Sequence, residues 1–196
     1  MGANCTASGS NAIALGEYAN ASGTTAIALG SLTYCTGNYS AAFGRYADIT
    51  NRATIGIAGD RFSSTGDAQV FFSALKVATT DATQTTLLAA GTNLVIPADT
   101  SWCFSALVIG RSDETDGNDS AAYRIEGCIA RDESSNTALV GSITKTVIAE
   151  SAGATAWDVT AEADDTNEAL AIKVTGEAAT NIRWVAKVDI AQVTYA

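Results

Sequence analysis

Ala7-Ser8-Gly9-Ser10-Asn11-Ala12-Ile13-Ala14-Leu15-Gly16 recurs fourteen residues on as Ala21-Ser22-Gly23-Thr24-Thr25-Ala26-Ile27-Ala28-Leu29-Gly30, and again as Cys35-Thr36-Gly37-Asn38-Tyr39-Ser40-Ala41-Ala42-Phe43-Gly44. Glycine returns at Gly9, Gly23 and Gly37 and at Gly16, Gly30 and Gly44. A short repeat with two fixed glycines around a run of small and apolar residues predicts one coil of a β-solenoid, with glycine at tight corners where it tolerates positive φ. The run Ala12 to Gly16 alternates small and large side chains, so it is a short strand with Ile13 and Leu15 on one face and Ala12 and Ala14 on the other. One coil on stand Ile27 and Leu29, then Ala41 and Phe43, which stack into apolar columns.

So thin a coil buries little by itself, because repeat units draw their core from neighbours. Association is the expected remedy: three chains packing their small-residue faces around a common axis form a stiff rod, a homotrimer with cyclic closure. The repeat spans residues 1–50, and residues 51–68 read as a neck or connector. There Thr54-Ile55-Gly56-Ile57-Ala58 breaks the spacing, Ser63-Ser64-Thr65-Gly66-Asp67 forms a polar turn cluster, and Arg52, Arg61 and Phe62 are placed to cap the open solenoid.

Residues 69–196 read as a succession of strands. The clearest alternation is in the last, where Ile182, Trp184, Ala186, Val188 and Ile190 point one way and Arg183, Lys187 and Asp189 the other. Strands at this spacing, with Gly, Asn and Asp turns between them, predict an antiparallel β-sandwich. The fold class is therefore all-β, a short N-terminal parallel β-roll of fourteen-residue coils followed by the sandwich.

Charge and composition narrow the function. The 196-residue chain has 11 Lys+Arg against 21 Asp+Glu, a formal charge of −10, and no histidine. That balance argues against nucleic acid, whose binding depends on basic side chains displacing counterions. No apolar run approaches the roughly 20 residues of a membrane span, so no membrane insertion is expected. Without histidine no Ser-His-Asp or Cys-His set can form, and no P-loop or dinucleotide fingerprint occurs. The chain reads as a binding protein rather than an enzyme, with no cofactor. Two carboxylates across a glycosidic bond would still suffice for a glycan depolymerase, which is the alternative reading.

The four cysteines suggest neither zinc nor an obligatory disulfide: Cys5 and Cys35 fill small-residue slots of the repeat, and Cys103 and Cys128 lie in strands without a CxxC pair. All four read as buried free thiols, with a Cys103–Cys128 bridge between neighbouring strands left open. No metal site is assigned. The acidic runs Asp113 to Asp119, Asp132 to Asn136 and Asp164 to Glu168 carry oxygen ligands of the kind calcium takes, but lack the EF-hand pattern and read as solvated loops. Loops carry binding more often than sheets do, so Asp113, Asp116, Asn118 and Asp119 are the candidate receptor-binding residues. Trp102, Trp157 and Trp184 are assigned to the core, and Tyr18, Tyr34, Tyr39 and Tyr46 to the surface.

Two resemblances extend this reading. Ala12-Ile13-Ala14-Leu15-Gly16 and Ala19-Asn20-Ala21-Ser22-Gly23 resemble the alternating halves of the head repeats of trimeric autotransporter adhesins, which also occur in bacteriophage tail fibres; the resemblance implies a left-handed parallel β-roll in a homotrimer. Trp102-Cys103-Phe104, Asp119-Ser120-Ala121-Ala122-Tyr123-Arg124-Ile125-Glu126-Gly127, Ala156-Trp157-Asp158-Val159 and Ile182-Arg183-Trp184-Val185-Ala186 are similar, in that order, to C-terminal domains of phage tail-fibre proteins. Together they imply a virion tail-fibre tip that binds a bacterial surface glycan or outer-membrane protein for host attachment, with a trimeric bacterial adhesin head as a further alternative. Met1-Gly2-Ala3-Asn4-Cys5 lacks the features of a secretory signal. Cys5 aligns with Ala19 and Thr33, so the repeat is already running there, and the chain reads as the distal end of a longer polypeptide. Its finish at Val193-Thr194-Tyr195-Ala196, straight after a strand, favours the fibre over an autotransporter with a membrane anchor.

Overall fold

The structure, a computed structural model, describes residues 3–195. Met1, Gly2 and Ala196, at the ends of the expected roll and tip, lie outside the described residues. Along the repeat run β1 (Thr6–Ala7), β2 (Ile13–Leu15), β3 (Asn20–Ala21), β4 (Ile27–Ser31), β5 (Tyr34–Cys35), β6 (Ala41–Arg45), β7 (Asp48–Ile49) and β8 (Thr54–Ala58). The odd-numbered strands pair in parallel in the order β1-β3-β5-β7, and the even-numbered ones form a second parallel stack. Register advances one repeat per rung, Ile13 opposite Ile27, Ile27 opposite Ala41 and Ala41 opposite Ile55. The solenoid is thus present, and Thr54–Ala58 continues the repeat as a further rung instead of breaking it.

Side-chain size decides which face is inside. Ala19, Ala21, Ala26, Ala28, Ala42 and Ala47 are fully buried between the two stacks, a gap filled by small side chains except at the last rung, where Ile49 packs over Gly56. Ile13, Leu15, Ile55 and Ile57 face outward and are 41 to 55% exposed. The small-residue face therefore fills the coil and is not free to pack three chains together; the large apolar columns are the outer surface.

The corners also differ from expectation. Gly16, Gly30 and Gly44 do have positive φ. Gly9, Gly23 and Gly37 are required for another reason: a Cβ on Gly23 would lie 2.3 Å from the Gly37 carbonyl oxygen of the next coil. The regular left-handed corners fall instead on Asn4, Asn11, Tyr18, Thr25, Leu32, Tyr39, Tyr46 and Ala53, all with φ between 50 and 65°. Coil-to-coil hydrogen bonds hold these residues there, among them Thr25 N–H to Ser10 C=O at 2.7 Å and Leu32 N–H to Glu17 C=O at 2.8 Å.

The rest of the chain forms β9 (Ala68–Thr79), β10 (Thr85–Thr86), β11 (Leu94–Val95), β12 (Thr100–Ser112), β13 (Ser120–Arg131), β14 (Thr137–Leu139), β15 (Thr144–Glu150), β16 (Asp158–Asp164), β17 (Ala169–Thr175) and β18 (Ile182–Thr194). β13, β12, β18 and β9 are long antiparallel neighbours, and β9 then pairs antiparallel with β8. One sheet consequently runs unbroken from the antiparallel region into the solenoid, in the order β14-β13-β12-β18-β9-β8-β6-β4-β2 with β15 also on β13. A smaller sheet, β10-β17-β11 with β16 on β17, supplies a second layer. Trp102, Phe104, Tyr123, Ile125, Trp184 and Val188 from the long sheet share a core with Leu87, Leu94, Ile96, Leu170, Ile172 and Val174. Trp157 meets Trp184 edge-on at 5.4 Å, and Phe71 meets Trp102 at the same distance. All three tryptophans are buried, and each indole N–H has an acceptor: Gln192 for Trp102, Glu177 for Trp157 and Thr79 for Trp184.

The open end of the solenoid is closed by Gln69. Its Oε1 accepts the Asp48 N–H and its Nε2 donates to the Asp48 C=O, both at 2.9 Å, reproducing with one side chain the pairing a further rung would give β7. Phe62, expected to help cap this end, is 79% exposed, while Arg61 lies over the Tyr46 ring at 4.1 Å. Tyr46 is consequently buried, unlike the exposed Tyr18 and Tyr39.

Candidate functional site

The acidic loop that joins β12 to β13 holds itself together with its own carboxylates. Asp113 Oδ1 accepts the Thr115 N–H, the Thr115 hydroxyl and the Asp116 N–H. Asp116 Oδ2 accepts from the backbone and side-chain N–H groups of Asn181, and Asp119 Oδ1 from the Ser151 hydroxyl and Gly153 N–H. Asn118 accepts from Arg111. The same turn chemistry recurs at Asp132, which accepts from Asn136, and at Asp164, which accepts from Thr166 and Asn167. The Thr115 hydroxyl bond first, with the loop N–H groups, holds the Asp113 carboxyl below its usual range. In each loop the leading aspartate shapes an Asx-type turn. The four candidate binding residues therefore sit in one loop, but their polar groups point largely at one another and at neighbouring loops. Among the described residues no group of three or more His, Cys, Asp or Glu is placed to hold a metal ion.

A feature the sequence reading passed over is the outward face of the long sheet. At the level of the solenoid it is apolar: Leu15, Leu29, Phe43 and Ile57 lead through paired Val70 to Ala191, Cys103 and Cys128. Cys103 and Cys128 stand directly opposite each other as free thiols; Cys103 is exposed, so of the four cysteines only Cys35 is fully buried. Burial pushes the Cys35 thiol up to about 11. A recess of about 830 Å³ lies over this stretch, bordered by Phe43, Ile57, Val70, Phe72 and Cys103.

Further along the long strands the same face changes sign. Lys76, Arg111, Arg124, Arg183 and Lys187 all project from it, five of the chain's 11 cationic side chains. Leu107, Ile109 and Val185 lie between them, each about half exposed. Arg111 and Arg183 are directly opposed across β12 and β18, and a recess of about 610 Å³ opens beside them, bordered also by Thr79, Ser112, Asn181 and Asp113, the last with its Oδ1 held by Thr115 and Asp116. Lys187 pairs with Asp189 at 2.8 Å and Arg111 bonds Asn118, but the side chains of Lys76, Arg124 and Arg183 have no partner among the described residues. Alternation alone identifies these positions as outward; their convergence depends on strand register, which single-strand patterns do not contain.

Residues 7–33 match the YadA head domain repeat family in two copies. No curated protein matches the chain. Among solved structures it is similar to a tailspike protein of Acinetobacter baumannii bacteriophage Fri1, a capsular polysaccharide depolymerase, at 11% identity over 71% of this chain and 20% of that one, with a TM-score of 0.41. It is also similar to the tailspike protein of Acinetobacter phage vB_ApiP_P1, at 10% identity over 93% of this chain and 40% of that one, with a TM-score of 0.31. The chain thus spans between a fifth and two fifths of the length of these proteins. The coil segment carries an adhesin-type head repeat, and no helix among the described residues is long and apolar enough to cross a membrane.

Proposed function

We propose that this chain is the end of a homotrimeric virion tail fibre that attaches to a bacterial surface receptor, a glycan, without turning it over. The observation that carries the reading is the outward column Leu15-Leu29-Phe43-Ile57, flanked by Ile13, Ile27 and Ile55 with Ala41 buried between them, on a solenoid already closed by its own alanines. A monomer rarely exposes so continuous an apolar strip, and identical copies are the partners a repeat surface fits best. Three chains meeting along these columns make a stiff shaft that carries the two-layer tip toward the cell. The adhesin-type repeat supports a surface-attachment role, and the ordered similarity of residues 102–186 to fibre C-terminal domains supports the virion location.

Binding of the purified protein to host cells, compared with capsule-minus and lipopolysaccharide-truncated mutants, tests the attachment. Loss of binding on one mutant is expected; equal failure on all cells, the parent included, contradicts it. Incubation with isolated host capsule should release no reducing ends, and sustained release would favour a depolymerase.

A further inference from the structure

The basic end of the long sheet's outer face has no counterpart in the shaft. Solenoid strand β8 sits level with Val70 and Phe72 of β9, and Lys76 lies four residues beyond Phe72, roughly 13 Å at the usual strand rise. The cationic end thus projects past the apolar columns. In a chain with 21 acidic and 11 basic side chains, surface cations should readily find carboxylates. Here the nearby acidic loop holds its carboxylates in turns, Glu126 and Asp189 in the adjoining row of the same face are engaged by Ser105 and Lys187, and Lys76, Arg124 and Arg183 remain unpaired among the described residues. Arg111 and Arg183 sit opposite each other, an arrangement of like charges that destabilises a sheet unless an anion lies between or above them.

We propose that this face, centred on Arg124, Arg183 and Arg111, binds an anionic saccharide, a chain of sugars carrying carboxylate or sulfate groups. The proposal rests on the attachment reading and names the ligand class and the place. Guanidinium groups match carboxylate and sulfate oxygens through paired N–H donors. Leu107, Ile109 and Val185 between them offer aliphatic surface to the C–H faces of sugar rings. The recess of about 610 Å³ beside the arginine pair falls within the range of small-ligand pockets. Stacked nucleobases fit less well, because no aromatic side chain is exposed at this end of the face among the described residues. A second copy fits only if it brings carboxylates to the unpaired cations.

Arg124→Gln and Arg183→Gln, singly and together, remove charge from exposed side chains without fold contacts. Calorimetric titration with oligogalacturonate and with dextran sulfate, and with neutral dextran as control, should show binding of a charged polymer alone, weakened by salt. Each substitution should weaken it about fivefold, the value of one exposed ion pair, and both together about twenty-fivefold. Equal binding of neutral dextran, no binding of either charged polymer, or an unchanged affinity in the double variant overturns the proposal. A double variant with an altered oligomeric mass in light scattering, measured without sugar, also overturns it by making the face a contact between copies. Host-cell binding separates the two readings. If the parent protein binds cells and the double variant binds them equally well, the attachment reading stands and this face is not its site. If the charged polymers bind in an arginine-dependent way and no cells are bound, the face proposal stands and the attachment reading falls.

Discussion

Thr25 and Leu32 are held in a left-handed backbone conformation that glycine or asparagine adopts at lower cost. The chain itself places Asn4 and Asn11 at equivalent corners. Thr25→Asn should therefore stabilise the protein by about 1 kcal/mol in denaturant titrations, whereas Gly30→Ala, whose Cβ would lie 1.6 Å from the Gly44 carbonyl oxygen, should cost about 3 kcal/mol or more. Two aspartates near the end of the solenoid have opposite pH signatures. Burial disfavours ionisation of Asp67, but the N–H groups of Ser63, Ser64 and Phe62 outweigh it and hold its carboxyl below the usual range. Its stabilisation is complete above the ordinary aspartate value of about 3.9 and is lost as pH falls through the lower folded value. Asp48 is raised by burial, so its ionisation weakens the fold as pH rises through and above that ordinary value. Thermal melts at pH 7 should show Asp48→Asn more stable than the parent and Asp67→Asn less stable, with a flatter acid limb for the Asp67 variant.

Gln69 belongs to antiparallel strand β9 but completes the parallel stack, so the last rung depends on an element outside the repeat. Gln69→Ala leaves the Asp48 N–H and C=O unpaired at a partly buried edge and should cost about 1–3 kcal/mol. Hydrogen exchange should then rise at Asp48 first and leave β12 and β18 protected, because the loss is local to β7. β8 has a similar double role, pairing in parallel with β6 and antiparallel with β9. A fourteen-residue period cannot announce such a strand, since its second partner obeys a different rule. This is why Thr54–Ala58 reads in sequence as a break although Ile55 and Ile57 extend both columns.

At the scale of the whole molecule, the outward face of the long sheet carries two chemistries along it. If the columns are the shaft contact, a charge placed there should act on assembly before stability: Ile27→Asp or Ile57→Asp should lower the mass seen by light scattering from three chains to one, with β-sheet circular dichroism retained. A monomeric parent protein would contradict the shaft model directly. The cations and the columns both lie outward on one sheet, and strand lengths alone keep them apart.

The repeat, the all-β class, the buried tryptophans and the alternating faces of β18 were all legible locally, because a coil that stacks by translation writes its period into adjacent residues and a strand writes its two sides into every second one. Alternation does not say which side is inside; the narrow gap between the coil stacks decided that, admitting alanine along most of its length and Ile49 only at the last rung, where Gly56 leaves room for it. Nor does it say which strands become neighbours. β18 lies between β9 and β12, with Ile182 opposite Thr79 and Ser112. Only that long-range register, set by packing two layers around a common core, gathered Arg111, Arg124 and Arg183 onto one face and brought Asn181 to Asp116 and Ser151 to Asp119.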